Sequence, residues 1–387
     1  MQSPPGAETV IDGRRYTYFI GTGYLGLQGR PEVIEAACAA ARAYGIGSAT
    51  SRRGWGNNPA TIEAERRAAG FLGCEDAFYF GSGYQGNAVI VDALRCGKGD
   101  GGRIAFVDER AHYCVFEAAG MLCGGGSGAS ERPRLVTFAH LDAADLRGKI
   151  EAELRDGERA VVMSDGVFAM SGGVAPVDDY IEVLESFGGG ALCLDDAHAL
   201  GVLGERGRGT FEHAGIEAGR VNAVVDGGDG VALYACGTLS KAAGAYGGIV
   251  AGSRAFIEHV KASSHVYNGA SAPPTPAAGA AAEALRIMSD EPGLRDRLRA
   301  NVRAVREGLR GLGLEVADWP TPIVGLTVGD AANMQRIQRG LMEAGVLIAY
   351  VASYAGVSGE GALRIAVFAT HTDEMIGRLI EGMGRLV

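Results

Sequence analysis

Six short apolar runs set the main constraint on how this chain can fold. They are "AFYF" (77–80), "RIAFVD" (103–108), "AVVMSD" (160–165), "ALCLDD" (191–196), "VALYAC" (231–236) and "GIVAG" (248–252), with helix-period stretches such as 58–73, 84–96 and 177–188 between many of them. Alternation of such strands with helices predicts an α/β fold, a mostly parallel sheet with helices on both faces. In open sheets of this kind ligands bind beyond the carboxyl ends of the strands. The polar residues that follow each run are therefore where function is expected.

The 387 residues suffice for a large domain and a smaller one. Residues 1–45 read as an arm with a helix (31–44), and residues 46–275 as the large domain, up to a break at "SAPPTP" (271–276). Residues 276–387 read as a smaller α/β C-terminal domain, with amphipathic helices at 276–290 and 292–312, strand-like pieces at 323–328, 346–351 and 363–368, and a closing helix at 372–386. "CGGGSGASERPR" (123–134) reads as an exposed loop. A net charge of −10 and a pI of about 5.3 give no electrostatic footprint for nucleic acid or anionic lipid. The N-terminus has no apolar signal core, and no apolar run reaches membrane-spanning length. Seven scattered cysteines without a CxxC pair read as reduced thiols, so a cytoplasmic location is expected.

Lysine usage singles out one residue. Of 36 basic residues only Lys98, Lys149, Lys241 and Lys261 are lysine. Lys241 follows the strand candidate 231–236 in "GTLSKAAGAYGG", among small residues that imply close packing. Taken alone it reads as a solvated turn lysine. Held among apolar groups, an amine loses its proton near neutral pH and becomes a nucleophile that forms Schiff bases with carbonyls. Two further clusters follow strand candidates. "GSGYQGN" (81–87) is a glycine-rich turn opening a helix, which favours a phosphate but by itself is a weak signal. "LDDAHALG" (194–201) offers Asp195 and His198; singly they read as a helix cap and a core histidine, and as a metal site they lack a third ligand. Together a phosphate cradle, a carboxylate and an amine match what pyridoxal 5′-phosphate needs, and His112, after the run 103–108, supplies a flat group to cover its ring.

In this order the motifs resemble the α-oxoamine synthases, a family of fold-type I pyridoxal-phosphate enzymes. The resemblance runs through "YLGLQGRPEVIEAACAAARAYGIGSATSR" (24–52), "FGSGYQGNAVI", "DERAHYCVFEAA", "FAHLD", "SDGVFAMSGGVAP", "DDAHALGVLGERGRG", "GTLSKAAGAYGG" and "LRIAVFATHTDEMIGRLI" (363–380). It implies that Lys241 carries the cofactor and moves the substrate's α-proton, that Asp195 pairs with the ring nitrogen, that His198 meets the phenolic oxygen and that His112 stacks on the ring. Ser82, Gly83, Tyr84 and Thr238 would hold the phosphate, Ser271 would reach the phosphate of a partner subunit, and Arg364 would hold the substrate carboxylate. It further implies a homodimer that condenses an amino acid with an acyl-CoA or other thioester, with loss of CO₂, to an α-aminoketone. Several positions depart from the family pattern: Thr22 replaces an asparagine near the substrate, Ala169 replaces a serine, and Tyr113-Cys114 follows the stacking histidine in place of Ala-Ser. These departures leave open a second expectation, the same cofactor chemistry redirected to the β- or γ-carbon of an unusual amino acid such as S-adenosylmethionine.

Overall fold

The computed structural model describes residues 1–95, 103–123, 134–223, 230–354, 357 and 359–387. The chain opens with a hairpin, β1 (Glu8–Ile11) and β2 (Arg14–Tyr18). Its turn residues Asp12 and Gly13 have φ of 48° and 76°, as a two-residue type I′ turn requires.

The large sheet contains β3 (Asp76–Phe80), β4 (Arg103–Asp108), β5 (Leu135–Phe138), β6 (Arg159–Asp165), β7 (Gly190–Asp195), β8 (Val231–Thr238) and β9 (Gly248–Gly252), in the order β3-β9-β8-β7-β6-β4-β5. All six apolar runs are strands in it, and β5 is an additional edge strand. Only β9 runs against its neighbours; the pairs from β8 to β5 are parallel. Both faces are buried, as apolar strands without polar alternation demand. In β3, Phe78 and Phe80 pack with Val89 and Val115 on one face, while Ala77 and Tyr79 join Ala64 and Ala68 of the helix Pro59–Leu72 on the other.

In the C-terminal part, β10 (Ile323–Leu326), β12 (Ala349–Val351) and β13 (Ala362–Ala366) make an antiparallel sheet ordered β10-β13-β12, packed with the helices Gly293–Gly311, Ala331–Glu343 and Asp373–Gly384. The predicted strand at 346–351 splits at Ile348. Its first half, β11 (Val346–Leu347), pairs in parallel with β2, so the N-terminal hairpin takes one strand of the C-terminal part into a separate three-stranded sheet, β1-β2-β11. Of the predicted loop 123–134, residues 124–133 lie outside the described residues, and Cys123 ends the helix Tyr113–Cys123. No described helix is long and apolar enough to cross a membrane.

Candidate active site

Five strand ends meet at one edge of the large sheet. β3 leads into the turn 81–85, where the Ser82 side chain accepts from the Tyr84 N–H, and then into the helix Gly86–Arg95. Gly83 has to be glycine: a Cβ there would sit 2.5 Å from the Thr238 Cβ at the end of β8. Thr238 donates to the Gly247 carbonyl and accepts from the Ser240 N–H, which closes the turn that carries Lys241. Within that turn Gly244, at φ 62°, packs against the Gln28 backbone, and a Cβ would run into it. The small residues around Lys241 therefore serve close approach, as the sequence predicts.

The amine of Lys241 has no hydrogen-bond partner among the described residues. Burial pushes its pKa down; the nearby carboxyls of Asp195 and Asp165 act in the opposite sense without reversing the shift. Asp195, at the end of β7, is fixed on both oxygens: Oδ1 accepts from the Ala197 N–H at 2.9 Å, and Oδ2 accepts from Asn87 Nδ2 at 2.7 Å and from the Cys114 thiol at 3.5 Å. Asp165, its register partner on β6, is also buried, but its Oδ2 meets no donor. Desolvation and the neighbouring Asp195 hold Asp165 well above the usual carboxylate range. Asp196, one residue after Asp195, turns away to accept from Thr210 Oγ1 and N–H, so of the two adjacent aspartates it is the structural one.

His198 Nδ1 lies 2.7 Å from the hydroxyl of the fully buried Tyr24. Burial raises the pKa of the Tyr24 phenol to about 12, so it stays protonated beside Nδ1. Burial keeps His198 neutral. Arg364, on β13, donates through Nε to the Ala169 carbonyl at 2.7 Å and through Nη1 to the Gly21 carbonyl at 3.2 Å. His112 accepts the Cys114 N–H on Nδ1, and burial lowers its pKa.

A cavity of about 300 Å³ is lined by Ser82, Gly83, Tyr84, His112, Ala169, Asp195, His198, Thr238 and Lys241, all singled out from sequence, and also by Cys114 and Asp165. Thr22, Arg364 and Ser271 do not line it. Thr22 follows the Gly21 carbonyl that holds Arg364, and Ser271 is exposed, bridged to Ser51. A cavity of about 340 Å³ behind β8 and β9 contains no lysine or histidine, so chemistry and not volume identifies the site. Asp165, Asn87, Cys114 and Tyr24 are missed by the sequence reading. For Asp165 the signal is present: it ends an apolar run just as Asp195 does. The donor set fits pyridoxal phosphate: a turn closed against Thr238 at a helix N-terminus, a fixed carboxylate, a second carboxyl with an unsatisfied oxygen, and a desolvated amine.

Comparison with known proteins agrees over the whole chain. Residues 22–383 match the family model "Aminotransferase class I and II". The 8-amino-7-oxononanoate synthase of Methylococcus capsulatus is 35% identical over 387 residues, covering 100% of this chain and 93% of that protein. The same enzyme from Nitrosococcus oceani is 33% identical over 383 residues, covering 99% and 94%. Among solved structures, the serine palmitoyltransferase of Sphingomonas wittichii superposes with a TM-score of 0.86 at 25% identity, covering 100% of this chain and 91% of that one.

Proposed function

Because the chain belongs to the α-oxoamine synthase family, within the class I and II aminotransferases, we propose that it joins an amino acid to an acyl thioester on pyridoxal phosphate. The α-carbon bonds to the acyl carbon, the C–S bond breaks to release the thiol, and the amino acid's carboxylate leaves as CO₂, giving an α-aminoketone. The relatives over 30% identical carry the condensation in preference to chemistry at the β- or γ-carbon. The observation that carries the reading is Lys241: a desolvated amine at a strand end, facing Asp195 and Asp165 in the cavity that also holds the turn 82–84.

Bound in this cavity, the cofactor supplies an electron sink for the charge left at the α-carbon. The other tasks fall to the chain. Ser82, Gly83, Tyr84 and Thr238 hold the phosphate. Asp195, fixed by Asn87 and Ala197, keeps a negative charge beside the ring nitrogen. His198 has Nδ1 taken by the Tyr24 hydroxyl, which leaves Nε2 for the cofactor's phenolic oxygen. His112 covers the ring. Lys241 takes the α-proton, a task for which an amine pKa depressed by burial is suited. Arg364 spends two of its five N–H groups on Ala169 and Gly21 and keeps others for the substrate carboxylate. Ala169 borders that carboxylate, and Thr22, outside the cavity lining, acts on it through the neighbouring Gly21 carbonyl that Arg364 holds. The protein is a homodimer in this reading, with Ser271 serving the partner's phosphate, and it works in the cytoplasm.

The test is thiol release. Purified protein with pyridoxal phosphate is given an amino acid and an acyl-CoA, singly and together. Free thiol and CO₂ in equal amounts, and only when both substrates are present, are expected. Amino-acid turnover that ignores the thioester contradicts the reading.

A further inference from the structure

The mouth of the site cavity is ringed by aromatic side chains, of which the condensation uses Tyr84 and His112 and leaves Tyr113, Tyr246 and Tyr354 without a task. Tyr84, Tyr113 and Tyr246 are 48%, 50% and 50% exposed, and Tyr84 and Tyr246 line the cavity itself. Around His112 stand Tyr84, Tyr113 and Tyr354, with ring centroids 5.8, 5.8 and 5.9 Å away, and Tyr113 meets Tyr354 edge-on at 5.6 Å. Tyr113 occupies a position where the family pattern has alanine. The exposed Glu117 carboxylate lies beside Tyr84 and raises the pKa of its phenol. The site's cations lie deeper, with Lys241 desolvated and Arg364 tied to backbone carbonyls. His112 adds no positive charge near neutral pH, since burial lowers its pKa.

A wall of aromatic rings attracts cations in preference to anions. The ring quadrupole turns a negative face outward, and a sulfonium or substituted ammonium loses little hydration on meeting it. An uncharged side chain would gain only burial. We propose that this wall selects an amino-acid substrate whose side chain ends in a positive charge, a sulfonium or a substituted ammonium. The inference rests on the reading of the site as one that takes an amino acid, and it narrows that substrate's class.

The cofactor-loaded protein is titrated with S-methyl-L-methionine, with its uncharged carbon isostere L-homoleucine and with L-alanine, without an acyl donor. Binding is read from the cofactor's absorbance. S-methylmethionine is expected to bind about tenfold tighter than homoleucine, a double Tyr113→Leu, Tyr354→Leu variant to bring the two within about twofold, and Tyr113→Phe to keep the preference. A retained alanine response certifies that a variant's site is intact. Homoleucine binding as tightly as the sulfonium in the unaltered protein, or a preference that survives the leucine substitutions, overturns the proposal. An answer to alanine with no preference between the other two overturns the cation alone. An absorbance that answers none of the three overturns the amino-acid reading with it.

Discussion

Asp165 and Asp195 stand side by side in register at the ends of β6 and β7, yet their surroundings divide the work between them. Three donors surround Asp195, so a negative charge is stabilised there. Asp165 has one oxygen with no donor and a pKa pushed well above the carboxylate range by burial, then by Asp195, so a negative charge is disfavoured there. Asp195→Asn is therefore expected to weaken pyridoxal phosphate binding at least about tenfold, the scale of one charged hydrogen bond. Asp165→Asn, at a position that disfavours a charge, is expected to leave it within about threefold. Equilibrium binding by cofactor fluorescence checks both, and equal losses would contradict the asymmetry. The residue scale is also where the sequence was most and least legible. Lys241 and Asp195 follow apolar runs directly, and nothing local hides them. Asn87 and Tyr24 act through contacts 108 and 174 positions away in the chain, which no local pattern encodes.

Among the elements, the glycine-rich turn after β3 depends on its closeness to β8. Gly83→Ala would force a Cβ to within 2.5 Å of Thr238. Overpacking of this kind costs about 1–3 kcal/mol, and the turn can relieve it by moving away from the phosphate position. Cofactor affinity is expected to fall tenfold or more while the melting temperature without cofactor changes little, measured by fluorescence titration and thermal denaturation. A different joint holds β3 to its preceding helix. Buried Arg52 makes a two-pronged pair with Glu65 at 2.6 and 3.0 Å and donates to the Tyr79 carbonyl, while Glu65 accepts the Tyr79 N–H. Glu65→Ala leaves the guanidinium buried and unpaired and is expected to cost about 3–5 kcal/mol in urea denaturation. All six apolar runs became strands because burial on both faces leaves a plain signature. The β1–β2 hairpin was read only as part of an arm, because its strands are polar. Its turn was the available clue, since Asp12-Gly13 is a dipeptide that favours type I′ geometry. The 346–351 run could not reveal its split, which depends on β2 and β13 claiming its two halves.

Across the whole molecule, the two ends of the chain are joined through His371. Its Nε2–H donates to the Tyr18 carbonyl and its Nδ1 accepts the Phe368 N–H, between the rings of Phe19 and Phe368. Burial lowers its pKa to about 4 from an ordinary 6.5. The unfolded chain therefore takes up this proton first. The stability His371 contributes is complete above about pH 6.5 and is lost as the pH falls towards 4, a loss of about 3 kcal/mol. Urea denaturation across that range is expected to show the decline, and His371→Gln, less stable at pH 7, to show a shallower one. The joining of arm and C-terminal part was not legible from sequence, since it depends on contacts between residues at opposite ends of the chain. The order of motifs was legible, because each sits at its own strand end and the parallel sheet brings those ends together. The central claim, that Lys241 carries the cofactor, has a direct measurement. The protein is loaded with pyridoxal phosphate, reduced with borohydride, digested and mapped by mass spectrometry. The account predicts one pyridoxyl group per chain, on Lys241; a pyridoxyl group on Lys98, Lys149 or Lys261 instead, or none at all, would contradict it.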